Sequence, residues 1–262
     1  MSSQGFWFRT TALVTALAVG FAPAAAQDAK QQIEEIGKEF QQELKDLRQL
    51  AKDAPDPEAS GALYKDFYSS VVPEYAARYA AIARTEKGTD LGLTAWSKVV
   101  DLAAQSGKGE LAREAVDALL ADHLQSESLV NVAQTLRYNA ESIGEDVAIA
   151  GLKSIAEKTP HRMVRAAAKY HLGAVLSEDR PAGDPRLAEA KAVFTELKDY
   201  GDVPYSNGKS YAQAAEAFLF ALENLTPGRP CPDFAAVDAE GASFKLSDYK
   251  GKVVLVDFWG FW

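Results

Sequence analysis

Cysteine and histidine are scarce in this sequence. Its 262 residues include one cysteine, Cys231, and three histidines. One cysteine cannot form a disulfide within the chain, and it cannot provide the cysteine–histidine spacing of a zinc site. The sequence also lacks a glycine-rich phosphate loop and a nucleophile-elbow motif. We therefore expect no cofactor, no metal ion and no residues that bind either.

The three histidines, His123, His161 and His171, are too scattered to predict a metal site. His161 and His171 lie on one predicted helix, where a ten-residue separation turns the two side chains about 280° apart. They cannot hold the same ion. His123 lies near a predicted helix C-terminus, where a partly charged imidazole is favourable. We interpret all three as structural.

Basic residues are outnumbered: 28 Lys and Arg stand against 37 Asp and Glu, a net charge of −9. This balance argues against nucleic acid or anionic lipid as the main partner. One basic stripe nevertheless follows a predicted helix. Its members, at three- and four-residue spacing, are His161, Arg162, Arg165 and Lys169. We interpret the stripe as a solvated helix face, with docking of an acidic partner as the alternative.

The N-terminus has the features of a secretory signal. Residues 1–26 contain one charge, Arg9, then an apolar stretch from Ala12 to Ala22 and small residues at Ala24–Ala26. The stretch is shorter than the roughly 20 residues that span a bilayer. We predict cleavage after Ala26, export to the periplasm or cell envelope, and no membrane span after cleavage. An uncleaved anchor is the alternative.

Between Gln27 and Leu225 the sequence has helical periodicity and no convincing strand. The first helix carries an apolar stripe at 3-4-4-3-3 spacing, formed by Ile33, Ile36, Phe40, Leu44, Leu47 and Leu50. Pro55-Asp-Pro57 ends this helix, and Pro73 should kink or divide the next one, which spans Pro57 to Arg84.

Capping residues predict where the later helices begin. The predicted starts are Thr89 or Asp90, Glu110, Ser126 or Ser128, Gly144, Thr159, Asp184 and about Lys209. Thr159-Pro160 and Asp184-Pro185 each pair a polar N-cap with proline at the first helical position. Helix pairs would then recur at roughly 35- to 50-residue intervals, the scale of helical-hairpin solenoids.

We therefore predict a mainly α fold for this region, either a helical-hairpin repeat (solenoid-like) or an irregular helical bundle. The tetratricopeptide pattern of Trp, Leu-Gly, Tyr and Pro at fixed offsets is not met. The prediction therefore concerns architecture and not that family.

The last stretch of the sequence changes character after the Thr226-Pro227-Gly228 break. It contains, in order, Gly228-Arg-Pro-Cys-Pro-Asp-Phe234, Asp238-Ala-Glu-Gly241, Leu246-Ser-Asp-Tyr-Lys-Gly-Lys252 and Val253-Val-Leu-Val-Asp-Phe-Trp-Gly-Phe-Trp262. Glu240-Gly241 and Lys250-Gly251 predict turns. The β-branched and aromatic run from Val253 to Phe258 predicts a buried strand.

These residues resemble the opening of a redoxin domain of the thioredoxin superfamily. The similarity is to the TlpA/ResA-like thiol–disulfide oxidoreductases and their AhpC/TSA peroxiredoxin relatives. Such domains begin with Gly-x-x-Ala-Pro-x-Phe, Asp-x-x-Gly and Leu-Ser-Asp-(Tyr)-x-Gly-Lys, followed by a strand ending in Asp-Phe-Trp. Every piece is present in order across residues 228–262, except that Cys231 replaces the usual alanine.

The resemblance implies a Cys-x-x-Cys pair directly after Trp262, at the N-terminus of a helix. The family cysteines would therefore follow this chain, and we expect it to be truncated just before them, with no catalytic residue of its own. The implied organisation is a signal peptide (1–26), a helical repeat-like domain (27–225) and the N-terminal part of an incomplete thioredoxin-like α/β domain (226–262).

The resemblance also implies a thiol–disulfide oxidoreductase. One thiolate would attack a substrate disulfide and a second cysteine would resolve the mixed disulfide. The partner would be a protein thiol or disulfide, recruited by the helical domain. Without the pair, we expect this chain to be inactive. The alternatives are a non-enzymatic helical scaffold or binding protein of the cell envelope, and a peroxiredoxin-type antioxidant protein.

Two further interpretations concern side chains of the tail. Cys231 lies between Pro230 and Pro232, away from any helix N-terminus that would lower its pKa. We interpret it as an incidental replacement of alanine, with a reactive or intermolecular thiol as the alternative. We interpret the tail's aromatic cluster as core material of a redoxin fold and not as a ligand cage. Its members are Tyr249, Phe258, Trp259, Phe261 and Trp262.

Overall fold

A computed structural model describes residues 26–226, 228–257 and Gly260. These residues are mainly helical, with a small two-stranded sheet. The helices are α1 (Ala26–Lys52), α2 (Pro57–Asp66), α3 (Val72–Thr85), α4 (Asp90–Gln105), α5 (Gly109–Asp122), α6 (Leu129–Tyr138), α7 (Ala140–Ile143), α8 (Glu145–Lys158), α9 (Arg162–Ser177), α10 (Arg186–Glu196) and α11 (Tyr211–Asn224). The strands are β1 (Ala235–Val237) and β2 (Ser243–Lys245). Of the predicted signal peptide, only its last residue lies within the described ranges.

Proline divides the second predicted helix, as expected. The carboxylate of Asp56 accepts a hydrogen bond from the Ala59 amide at 2.8 Å and caps α2. A π-helical turn, Phe67–Val71, then separates α2 from α3, and Pro73 lies in the first turn of α3. Proline has no amide hydrogen and is tolerated only where that donor is not needed. The predicted break at Pro73 is confirmed.

Side-chain caps fix several later helix starts. The Thr89 hydroxyl accepts from the Gly92 amide at 3.1 Å and begins α4, as predicted. Asp184 accepts from the Arg186 amide at 2.9 Å, just ahead of α10. At α11, Ser210 and a glutamine three residues later form a capping box. The prediction placed this last start near Lys209 without identifying the box.

The predicted N-cap at Thr159 is wrong. Its amide donates to the Ile155 carbonyl at 3.0 Å, so the residue ends α8. Its hydroxyl accepts from the His161 amide at 3.2 Å, which closes a turn instead of a helix. Because proline confines the preceding residue to extended conformations, Thr159 before Pro160 has φ −68° and ψ 138°. The next helix, α9, begins only at Arg162.

The helices pack on their neighbours in the chain and also on more distant helices. α3 packs on α4, α4 on α5, α8 on α9, α9 on α10, and α10 on α11. A second set of contacts joins α4 to α6, α6 to α9, and α9 to α11. The hydrophobic core follows this row of helices from Ala29 to Ala215. None of the helices in the described ranges is long and apolar enough to cross a membrane.

The C-terminal residues form a short antiparallel hairpin. Ala235 of β1 lies opposite Lys245 of β2, and Val237 lies opposite Ser243. A 3-10 turn, Leu246–Tyr249, follows β2. The hairpin has no fully buried residue in either strand.

The strand predicted from Val253 to Phe258 is wrong over its described part. Residues 253–257 form no strand, and the side chains of Val253 and Leu255 are 102% and 92% exposed. An apolar run becomes a buried strand only where a partner strand and a covering layer are available. The described residues supply neither for this run.

The predicted aromatic core of the tail falls largely outside the described residues. Phe258, Trp259, Phe261 and Trp262 are not among them. Tyr249 is described, and its ring packs edge-on against Phe244 with centroids 5.9 Å apart. It is 40% exposed, so it packs on the hairpin without being buried.

Candidate functional site

The turn of the hairpin is built by the Asp-x-x-Gly residues. The Asp238 carboxylate accepts hydrogen bonds from the amides of Glu240 at 3.0 Å and Ala242 at 2.7 Å. Gly241 has φ +88°, a conformation that residues with a Cβ rarely adopt. The spacing of Asp238 and Gly241 is therefore what a tight turn at this point requires.

A second polar cluster closes the hairpin from the other side. Asp233 accepts from the Ser247 amide at 2.8 Å and from its hydroxyl at 2.9 Å. These two bonds lower the pKa of the Asp233 carboxyl. Asp248 accepts from the Lys245 amide at 2.8 Å, in the capping arrangement that begins the 3-10 turn. The Leu-Ser-Asp motif thus holds the two strands through local hydrogen bonds, with little apolar burial.

The tail's single thiol lies before the hairpin. Cys231 is exposed, and its thiol contacts the Pro232 carbonyl oxygen at 3.6 Å. It precedes β1 and is not at a helix N-terminus, where a thiolate would be stabilised. The chain's only cysteine therefore lacks both an activating helix and a second thiol.

The three histidines lie in separate local settings. His123 is buried at the C-terminal cap of α5, and burial lowers its pKa. His171 is buried in α9, where burial and the nearby Arg137 cation lower its pKa to about 4. His161 precedes α9, with Nε2 2.7 Å from the Gln125 carbonyl oxygen. The three histidines thus have different surroundings: His123 and His171 are buried, whereas His161 bonds to the segment between α5 and α6.

The basic stripe of α9 is bonded to neighbouring segments along its length. His161 lies 3.2 Å from Glu127, Arg162 pairs with Asp202 at 2.8 Å, Lys169 pairs with Glu196, and Arg165 donates to the carbonyl oxygens of Ala156 and Thr159. The Arg162 side chain is 51% exposed, so this part of the stripe is solvated, but the charges of the stripe are hydrogen-bonded or paired. Its charges connect α9 to adjacent segments, which also argues against docking of an acidic partner there.

Sequence reasoning missed a polar–aromatic cluster around Tyr170. The guanidinium of Arg137 lies 5.9 Å from the Tyr170 ring centroid and 5.8 Å from that of Phe218, and it pairs with Glu178. Burial raises the pKa of the Tyr170 hydroxyl. The other rings packed on Tyr170 are His171, Phe194, Tyr205 and Tyr211. These residues come from α6, α9, α10, α11 and the segment before α11, so no single-helix periodicity could reveal the cluster.

The class that emerges is a mainly helical protein with a C-terminal two-stranded hairpin built on redoxin-like turn motifs. The thiol-disulfide oxidoreductase ResA of Bacillus thuringiensis subsp. konkukian (strain 97-27) is 42% identical to the chain over 47 residues, which are 18% of this chain and 27% of the relative. ResA of Geobacillus thermodenitrificans (strain NG80-2) is 49% identical over 35 residues, 13% of this chain and 20% of the relative.

The chain thus spans between a fifth and just over a quarter of the length of these curated relatives. No family model matches it. No solved structure matches it either. The short matches support a relationship of part of the chain to thioredoxin-like thiol–disulfide oxidoreductases.

Proposed function

We propose that this chain is an exported redoxin-family protein. A helical-repeat region, residues 27–225, would precede the first part of a thioredoxin-like domain, residues 226–262. The observation that carries the proposal is the hairpin, in which the motif residues Asp238 and Gly241 make the turn and Ser247 closes it. The short ResA matches support the same family, and the sequence of residues 1–26 supports export.

The order in which the helices contact one another supports the repeat architecture. α4, α6, α9 and α11 contact one another in succession, while α5 and α8 contact each other beside them. Such a succession of contacts is expected of stacked helical hairpins, in which each pair buries its apolar face against the next pair, and it supports the repeat that we propose. A row of this kind offers an extended surface, and we propose that it recruits the substrate or redox partner.

The thiol chemistry of the family determines whether residues 27–262 can exchange disulfides. Disulfide exchange needs an attacking thiolate with a lowered pKa and a second thiol that resolves the mixed disulfide. The chain holds only Cys231, which is exposed and remote from a helix N-terminus. We propose that the active cysteine pair belongs after Trp262, and that residues 27–262 act on no disulfide by themselves.

Residues 27–262 should show no turnover in an insulin reduction assay with dithiothreitol beyond the background rate. Cys231→Ser should leave that result unchanged. Fusing the remainder of a ResA domain after Trp262, with its Cys-x-x-Cys, should create activity that serine at either of those cysteines abolishes. Turnover by the unextended chain that disappears in Cys231→Ser would contradict the proposal and would make Cys231 the catalytic thiol.

A non-enzymatic helical scaffold remains the second candidate, because the described core does not use the tail. The core residues and those packed against them run from Ala29 to Leu222. A chain of residues 27–225 should therefore keep a helical far-UV circular dichroism spectrum and a cooperative melt, with a midpoint within about 4 °C of the longer chain. Loss of the cooperative transition on removing residues 226–262 would show that the boundary is wrong.

A further inference from the structure

A groove of about 840 Å³ lies between α1 and α4. Its apolar lining comes from three helices: Phe40 of α1, Tyr79 of α3 and Leu102 of α4. Gly37 of α1 lines it as well, and a Cβ at this glycine would lie 3.4 Å from the Tyr79 hydroxyl oxygen. The absent side chain at Gly37 therefore leaves this part of the groove open.

The two sides of α1 differ in how their charges are paired. On the side facing α3, Glu39 pairs with Arg78 at 2.6 Å and Glu43 accepts from the Tyr75 hydroxyl at 2.9 Å. The groove is lined instead by lysines: Lys38 and Lys45 of α1, and Lys98 of α4. Within the described ranges none of these three lysines lies within 4.0 Å of a carboxylate oxygen.

The groove is thus more positive than the chain around it. Its three lysines stand against two carboxylates, Glu34 and Asp101, which leaves a net charge of +1 in a chain of net charge −9. Asp101 is already hydrogen-bonded, because it accepts at 3.1 Å from the side-chain amide of Asn139, the residue between α6 and α7. The groove's net positive charge therefore favours a negatively charged ligand, although the chain as a whole is acidic.

Amide side chains complete the groove. Gln41 of α1 and Gln105 of α4 line it, and in the described residues their side chains form no hydrogen bond. Gln42 also lines the groove, but its side chain is already engaged, because it donates to the Asp46 carboxylate at 2.8 Å. A side-chain amide provides both donors and acceptors, which suits a peptide backbone.

We propose that this groove binds an extended acidic peptide segment of a partner protein, with an apolar side chain on the floor and carboxylates at Lys38, Lys45 and Lys98. Lys38 and Lys45 are seven positions apart on α1, which is about 10 Å along the helix, or the length of about three residues of extended chain. Gln41 and Gln105 would pair with the peptide backbone between them. The binding uses no thiol, so it stands or fails independently of the proposed redox function.

The test is fluorescence anisotropy with residues 27–262 and a fluorescein-labelled decapeptide in which a central Leu-Phe pair is flanked by Asp and Glu. We expect saturable binding to the unaltered chain. In the triple variant Lys38→Glu/Lys45→Glu/Lys98→Glu, the dissociation constant should rise at least about tenfold. The matched control, Lys108→Glu/Lys158→Glu/Lys209→Glu, changes the net charge equally at exposed lysines outside the groove. It should weaken binding by less than about threefold.

A second pair of variants tests the groove without changing charge. Gly37→Leu should fill it and weaken binding about tenfold, whereas Gly61→Leu, a helical glycine of α2 with open space around it, should not. Replacing the peptide's Leu-Phe pair by Gly-Ser should also weaken binding. Circular dichroism confirms that each variant is folded.

Three results would overturn the proposal. They are absence of saturable binding to the unaltered chain, equal weakening in the two lysine variants, and equal binding of the Leu-Phe and Gly-Ser peptides. Equal weakening in the two lysine variants would mean that only long-range electrostatic attraction acts. Equal binding of the two peptides would mean that binding does not use the apolar floor of the groove.

Discussion

Replacing Phe194 by alanine should lower the free energy of unfolding by about 3–5 kcal/mol. Phe194 is fully buried in α10. Its ring stacks on Phe218 of α11, with centroids 4.6 Å apart, and meets Tyr170 of α9 edge-on at 6.2 Å. Truncation would leave a cavity where three helices meet, and the loss comes from apolar transfer and from the cavity together.

Urea unfolding followed by circular dichroism measures this effect as a shift of the midpoint at constant m-value. Phe220→Ala is the matched control, because Phe220 of α11 is 49% exposed and should cost less than about 1 kcal/mol. Similar losses in the two variants would show that Phe194 is not the centre of packing that we describe.

Gly173 of α9 explains why so large a ring fits at Phe194. A Cβ at Gly173 would lie 2.7 to 2.9 Å from three atoms of the Phe194 ring, closer than such contacts allow. Gly173→Ala should therefore cost about 1–3 kcal/mol by overpacking. The same substitution in a Phe194→Leu background should cost less, because the smaller side chain makes room. A double-mutant cycle measures this coupling, and additive losses would contradict it.

Local features of the sequence were sufficient to predict those parts of the structure that are determined by residues nearby in the chain. Pro73 marks the break between α2 and α3, Thr89 caps α4, and the Asp238-to-Gly241 spacing predicts a turn, because each acts through residues at most a few positions away. Thr159 shows the limit of such signals. Its sequence pattern suits an N-cap, but the preceding helix uses the residue first as its C-cap.

Long-range packing could not be predicted in the same way. Gly173 and Phe194 lie on different helices, and Arg137 reaches Tyr170 and Phe218 from a third. Nothing in the pattern around any one of these residues specifies the others. The groove between α1 and α4 was missed for the same reason, because its lysines look like ordinary exposed charges until the two helices are placed side by side.

The exposed run at residues 253–257 shows how the same limit affects the tail. Composition favours a strand there, and composition alone does not supply a partner. The motifs that contain Asp238 and Ser247 form their turns without further partners, because their hydrogen bonds are made within the hairpin itself. The redoxin-like turns were thus predictable from sequence, whereas burial of Val253 and Leu255 depends on residues that the hairpin does not contain.

Lowering the pH from about 6.5 to about 4 should destabilise the protein through His171. This imidazole is 3% exposed, and burial together with the nearby Arg137 cation lowers its pKa from 6.5 to about 4. Because the folded pKa lies below the unfolded one, the stabilising contribution is complete above pH 6.5. It is lost as the pH falls towards the folded pKa, since the unfolded chain takes up the proton first.

The size of the effect follows from the displacement of the pKa: at about 1.36 kcal/mol per unit, the loss approaches about 3 kcal/mol. Urea unfolding across this pH range should compare the unaltered chain with His171→Gln, which cannot titrate there. At neutral pH the variant should be the less stable of the two, because it loses the packing of the imidazole ring on Tyr170, whose centroid is 5.3 Å away. Towards pH 4 the difference should shrink, because only the unaltered chain loses the histidine contribution. Parallel stability curves would show that the imidazole of His171 accepts its proton as readily in the folded protein as in the unfolded chain.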